Sequence, residues 1–319
     1  MRKSVLIVGL GQIGMGYDLH LDPALHVCSH ARAFSLHPGF YLLAAVEPDE
    51  QKQKVFTQTY KSPIYSDLDT ALLQHQPDVV VIAVSTQLHA DILYKVLDKC
   101  KPKVILCEKP LSYNFDDARK MVQLCQIKGV ELYVNYMRRS DPGVIKVKKL
   151  IDSGECRAPV KGVAWYSKGF MHNGSHFFNL LEYWLGSMKG FSLLERGRLW
   201  DNVDPEPDVR VEFDKGAVIF LAAWEEAFSH YTIELLSLSG RIRYEQQGAL
   251  IQWQSIKDDP VYKGHNVLAF RSEEISSEMA RSQWNVVNQL NQVMEGKDAY
   301  LCTGSEALNT LESMSLIIK

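Results

Sequence analysis

The feature that narrows the fold most lies within the first fourteen residues. Val5-Leu6-Ile7-Val8 is apolar at four successive positions and runs straight into Gly9-Leu10-Gly11-Gln12-Ile13-Gly14. Apolar side chains at successive rather than alternate positions suit a strand buried on both faces, and so a parallel sheet covered by helices. The G-x-G-x-x-G spacing after such a strand gives each glycine a task. Gly9 makes a tight turn, Gly11 lets the backbone approach a pyrophosphate, and Gly14 lets a following helix pack closely. That helix would present unpaired N–H groups and partial positive charge to the anion. A dinucleotide is the ligand implied.

The same texture continues to about residue 125, with strand candidates at 41–46, 78–84 and 103–107. Helical spacing falls at 71–75 and His89–Lys99, with Leu88, Ile92, Leu93 and Val96 on one face. After about residue 158 the order changes to strand candidates at 160–167, 209–213, 217–224, 231–238, 241–245 and 250–254. Asp214-Lys215-Gly216 and Ser239-Gly240 read as hairpin turns, which makes that sheet mostly antiparallel. Helices are expected at Ser175–Leu185, 283–294 and 305–318, and a loop at 201–208, where Pro205 and Pro207 stand. The expected architecture is an α/β Rossmann domain with a doubly wound parallel sheet over 1–125. A second α+β domain with an open, mostly antiparallel sheet follows over 126–319.

Composition excludes several classes. The 35 basic and 38 acidic residues leave a net charge of −3, without the basic excess of a nucleic-acid binder. No apolar run approaches the ~20 residues of a membrane-spanning helix, and the N-terminal apolar stretch stops at Gly9, too short for an export signal. The 6 cysteines form no CxxC pair. They read as reduced, mostly buried thiols, and a cytoplasmic location without nucleic-acid or membrane partners is expected.

Three further places carry candidate chemistry. Glu47, at the end of the second strand candidate, is placed to take ribose hydroxyls. It lies 47 − 9 = 38 residues beyond Gly9, against ~20 in the usual spacing, so residues 17–30 read as an insertion. Pro48 rather than an arginine follows it, which favours NAD over NADP. Lys109, in Cys107-Glu108-Lys109-Pro110, closes the strand candidate at 103–107, where such sheets bind ligands. A partly desolvated lysine there can have its pKa drawn toward a useful range, and a cis Pro110 would aim it. The third place is Met171-His172-Asn173-Gly174-Ser175-His176-Phe177-Phe178-Asn179. Asn173 reads as a helix N-cap, and His176 and Asn179 share a face. His172 and His176 have the spacing of a metal pair, but no third ligand accompanies them, so no metal is assigned. Trp184, and one of Trp165 and Tyr166, read as core.

Taken together these residues resemble the Gfo/Idh/MocA family of NAD(P)-dependent sugar and cyclitol oxidoreductases. The resemblance rests on the glycine loop, Ser85-Thr86-Gln87-Leu88-His89, Glu108-Lys109-Pro110, Tyr136-Met137-Arg138-Arg139, and Gly174-Ser175-His176. It implies that Gly9, Gly11, Gln12, Ile13, Gly14, Glu47, Ser85, Thr86, His89, Glu108 and Lys109 bind the cofactor. By the same resemblance Lys109 polarises the substrate oxygen and His176 relays the proton, with His172 as a second relay group. Tyr136, Arg139, Asn173 and Asn179 would face a sugar, amino sugar or nucleotide-sugar. The second domain would carry the substrate and the interface of a homodimer or homotetramer. The chain departs from the family where aspartates commonly stand, which here hold His172 and Asn179, and at Ser85 in place of a proline. The Asn173–Phe177 element and the insertion are similar to members tied to surface polysaccharide synthesis. Two alternatives accompany this reading: a weakly catalytic dinucleotide- or sugar-sensing protein, and a lyase or glycosidase that uses bound NAD transiently.

Overall fold

The computed structural model describes residues 2–223, 228 and 230–319. Met1 and Trp224, the ends of the expected first domain and of the strand candidate 217–224, lie outside the described residues. The chain forms two compact units, residues 1–140 with 280–309, and residues 141–279 with 310–319.

The first unit holds strands β1 (Lys3–Val8), β2 (Phe40–Val46), β3 (Ile64–Tyr65), β4 (Val79–Ile82), β5 (Val104–Cys107) and β6 (Glu131–Val134). They pair in parallel in the order β6-β5-β4-β1-β2-β3, and Cys302–Thr303 adds an antiparallel edge on β6. Helices α1 (His30–Leu36), α2 (Glu50–Tyr60), α3 (Leu68–Gln74), α4 (His89–Lys99) and α5 (Phe115–Lys128) connect them. Val5, Leu6, Ile7 and all of β4 have no solvent exposure, as a strand covered on both faces requires. The order reverses between β1 and β4, which places the ligand crevice beyond their C-terminal ends.

This unit does not end near residue 125. β6 continues the ladder from β5, and Val286, Val287 and Leu290 of the helix Ser282–Met294 enter the same core as Val5 and Phe34. A sheet edge and a core face recruited from late in the chain leave no local signal, so the expected boundary at 125/126 and the compact units differ.

The second unit holds α6 (Pro142–Asp152), α7 (Ser175–Leu185) and β7 (Val160–Tyr166), with β8 (Met188–Glu195), β9 (Leu199–Trp200) and β10 (Asp204–Pro205) following. The remaining strands are β11 (Asp208–Phe213), β12 (Gly216–Ala222), β13 (Thr232–Ser237), β14 (Gly240–Glu245), β15 (Leu250–Asp258), β16 (Asn266–Leu268) and β17 (Glu273–Ile275). The main sheet runs β16-β15-β14-β13-β7-β12-β11-β8, with β17 also on β15. All its pairs are antiparallel except β7 with β12. Both expected hairpins form. β8 escapes sequence reading because it is an edge strand with mostly exposed residues and no apolar alternation. Trp184 and Tyr166 are fully buried and Trp165 faces out, the alternation a strand imposes.

Candidate active site

The glycine turn is as tight as its spacing implies, but the helix expected after it is interrupted. Gly9 has φ +97°, and a Cβ there would come 2.6 Å from the Ala83 carbonyl oxygen. A Cβ on Gly14 would collide with the Gly9 carbonyl, whereas one on Gly11 would meet nothing within 4 Å. Met15 N donates to Gly11 O at 2.9 Å, closing one helical turn. The next helical acceptors are then used by residues from much further on. His30 N donates to Ile13 O and Ala31 N to Gly14 O, both at 2.9 Å. In an unbroken helix those partners would be residues 17 and 18, so 30 − 17 = 13 residues are looped out and the helix resumes as α1. Removing them from the glycine-to-acid spacing gives 38 − 13 = 25, close to the ~20 usually seen. Asp18, fully buried, secures the loop by accepting from Cys28 N (2.6 Å), Ser29 N (2.9 Å) and Ser29 Oγ (2.6 Å).

Beyond β1, β2 and β4 lies a cleft of about 410 Å³, walled by Gly9, Gly11, Glu47, Asp67, Ser85 and Leu88 among others. Glu47 is nearly buried, its Oε2 accepting from Leu10 N at 2.8 Å and its Oε1 from Asp49 N at 3.1 Å. A carboxylate has about four lone-pair sites, so acceptor capacity remains for ribose hydroxyls. Gln12 is exposed, Thr86 half-buried, and Ile13 packs partly against the core.

Lys109 is half-buried, and the Lys109–Pro110 peptide is cis. The residues on either side are held from within. Glu108 N extends the ladder to Ile82 O (2.9 Å), while Glu108 Oε1 accepts from His30 Nε2 (2.8 Å) and Asn135 Nδ2 (2.6 Å). Burial alone would raise the Glu108 carboxyl, but the His30 hydrogen bond and charge, with Asn135 and Lys109, outweigh it and hold it below its ordinary value. His89 lies inside the fold. It has no exposure, and its ring nitrogens lie 3.1 Å from the carbonyl oxygens of Pro110 and Val84. Burial lowers its pKa, and the ring packs against the carbonyls of the loop after Lys109.

In the second unit the histidine segment opens differently from its sequence reading. Asn173 is not an N-cap. A π-helical turn over Gly169–Gly174 runs directly into α7, a form of helix frequent at functional sites. Its leading N–H groups are satisfied by distant carboxylates. Asp204 accepts from Met171 N (3.0 Å) and His172 N (2.7 Å), and Glu206 from Gly169 N (3.0 Å). Gly169, with φ +76°, lies so close to Asp204 that a Cβ would collide with the carboxylate. Burial raises the Asp204 pKa above its ordinary value, against the pull of those amide donors. The His172 ring stacks on Trp200 at 5.1 Å and 18°. His176 is nearly buried on α7. No group of three or more His, Cys, Asp or Glu that could hold a metal occurs among the described residues.

Three of the residues expected to face substrate are buried. Arg139 is buried and pairs with Glu306 Oε1 at 2.6 Å, and Tyr136 is 5% exposed. Asn179 is 2% exposed and donates to Thr310 Oγ1 at 3.0 Å. Asn173 stays half-buried, donating to Ser167 O. His30, Trp200, Asp204 and Glu206 are residues that sequence reasoning missed. The acids of the 201–208 loop carried a faint signal, since charge amid prolines has some use; His30 carried none.

Residues 3–136 match the family described as "Oxidoreductase family, NAD-binding Rossmann fold" (GFO_IDH_MocA). Residues 3–136 are thus similar to the NAD-binding Rossmann domain of that family. Inositol 2-dehydrogenase of Corynebacterium glutamicum strain R is 30% identical over 157 residues, 49% of this chain and 43% of that enzyme. The chain thus matches less than half of that relative's length. The scyllo-inositol 2-dehydrogenase (NAD(+)) of Bacillus subtilis is 29% identical over 238 residues, 66% of this chain and 64% of that one. Among solved structures, the WlbA dehydrogenase of Bordetella pertussis, in complex with NADH and UDP-GlcNAcA, superposes with a TM-score of 0.77 at 16% identity, covering 99% of this chain and 94% of that one. A super-repressor mutant of Gal80p from Saccharomyces cerevisiae reaches 0.78 at 12%, covering 99% and 95%. At such identities these likenesses establish the fold. No described helix is long and apolar enough to cross a membrane.

Proposed function

We propose that the protein is an NAD-dependent oxidoreductase acting on a hydroxyl or ketone carbon of a sugar, amino sugar or nucleotide-sugar. The observation that carries this reading is the Gly11 position, open at the mouth of a cleft that Glu47 also lines, in a domain matched to an NAD-binding family. The residues fit a dinucleotide. Gly11 would admit the pyrophosphate, with Gly9 making the turn that places it, Glu47 would take the ribose hydroxyls, and Ser85 would form part of the cleft wall. The nicotinamide supplies hydride acceptance or donation. Lys109 would polarise the substrate oxygen and His176 carry the matching proton. The inositol dehydrogenases among the relatives and the sugar nucleotide in the WlbA complex support a polyhydroxylated substrate, and a role in surface polysaccharide synthesis belongs to the same reading. A homo-oligomer built through the second unit is part of it.

The decisive test is a thermal-shift titration with NAD, NADH, NADP and NADPH, followed by absorbance assays for NADH with inositols, sugars and UDP-sugars. A shift with NAD(H) and little with NADP(H), then net NADH formation, is expected. Absence of any shift would overturn the reading. One observation favours the sensing alternative: Asn179 is buried against Thr310 where the family commonly has an acid. Dinucleotide binding with no turnover of any sugar tested would select it, while turnover without net NADH would select the transient-NAD cycle.

A further inference from the structure

Two histidines without any solvent exposure, His30 and His89, bracket Lys109. His89 faces the carbonyls of Pro110 and Leu111 on its C-terminal side, and His30 bonds the Glu108 carboxylate on its N-terminal side. His30 reaches that place because α1 begins on the glycine turn's carbonyls only after residues 17–29 have been looped out. The loop is tied down by Asp18 and Arg32, the latter donating to Leu21 O at 3.0 Å. Asn135 completes the cluster, donating to both Glu108 and Gln283 Oε1.

We propose that His30 is a positioning residue, which holds Glu108 inward and thereby fixes the direction in which Lys109 leaves the end of β5. The physical argument is tethering. Glu108 N still follows the ladder to Ile82 O and Lys109 is the next residue, at a bend, so pinning the Glu108 side chain restricts the backbone rotation that sets where Lys109 emerges. The anchor is strong because it joins a partly buried carboxylate to a fully buried imidazole at 2.8 Å. Its removal leaves Asn135 as the partner named for Glu108 Oε1 and lets the carboxylate turn. The inference rests on the proposed role of Lys109, but its test does not depend on that role.

The test compares wild type with His30→Leu, which fills the space without a donor, and His30→Gln, whose amide nitrogen replaces Nε2. Lys109 acetylation by acetic anhydride is followed by peptide mass spectrometry relative to the exposed Lys128, together with kcat and KM for NAD on whichever substrate wild type turns over. In His30→Leu, Lys109 should acetylate roughly tenfold faster as its loop loosens, and kcat should fall on the order of 10- to 100-fold with KM for NAD unchanged. His30→Gln should restore both. Wild-type acetylation and turnover in His30→Leu would overturn the proposal, as would a His30→Gln variant as impaired as His30→Leu. If wild type turns over no substrate, the functional reading fails while the acetylation ratio still decides the role of His30.

Discussion

The glycine turn at 9–14 and the histidine segment at 169–176 solve one problem by opposite means. Each places a glycine at positive φ against an oxygen, Gly9 against Ala83 O and Gly169 against Asp204. At the first, the spacing of the glycines themselves carries the turn, with Gly14 packed on the Gly9 carbonyl, although Gly9 also meets Ala83 O from across the sheet. At the second, the amides of a π-helical turn are held by carboxylates from residues 204 and 206. Loops shaped by neighbours in sequence can be read from spacing; loops shaped by partners thirty residues away cannot.

The largest effect expected follows from placing the chemistry on Lys109. Lys109→Met should lower turnover by about 10²- to 10⁴-fold, with the NAD-induced rise in melting temperature kept. Near-normal turnover would remove the lysine from the mechanism. The comparison of glycines comes next. Gly169→Ala should cost at least about 1–3 kcal/mol from the backbone alone, with the clash against Asp204 added, read as a lower denaturant midpoint. Gly11→Ala should leave that midpoint within ~0.5 kcal/mol yet weaken NAD binding, because its Cβ points into the ligand's space. Equal destabilisation by the two would break the contrast.

The smallest effects are in pH dependence, where the units should respond with opposite signs. Burial opposes the Glu306 charge, but the Arg139 charge and hydrogen bond, with Thr303, outweigh it and lower its pKa below 4.5. That contribution is present above the unfolded carboxyl value and is lost as pH falls through the depressed folded one. Asp204 is raised above 3.8, chiefly by burial. It costs nothing below the unfolded value, and stability declines as pH rises from there to the raised folded value. In denaturant titrations between pH 3 and 7, the deficit of Glu306→Gln should therefore grow with pH while Asp204→Asn improves relative to wild type. Parallel responses would show that the two carboxylates do not differ in this way.

Several elements were legible because their signal is local. The strand at 3–8 announces itself by a continuous apolar run, α4 and α7 by their spacing, and both hairpins by turn glycines. An insertion over 17–30 could be recognised from the displaced Glu47, though not that it ends at residue 29 with the helix resuming at His30. Arg139 and Asn179 look like ligand-facing polar residues in sequence. Only the positions of Glu306 and Thr310, 167 and 131 residues away, show that each has a partner within the fold.

By itself the sequence determined a Rossmann unit with its glycine turn, its acid after the second strand and its lysine after the strand at 103–107, since propensity, periodicity and positive-φ chemistry act between near neighbours. Tertiary structure alone decided which buried polar group meets which. It brought His30 to Glu108, Asp204 to the amides before His172, and a late helix back onto the first core. A buried hydrogen bond depends on where two distant backbones come to rest, and no window of sequence contains both of its ends.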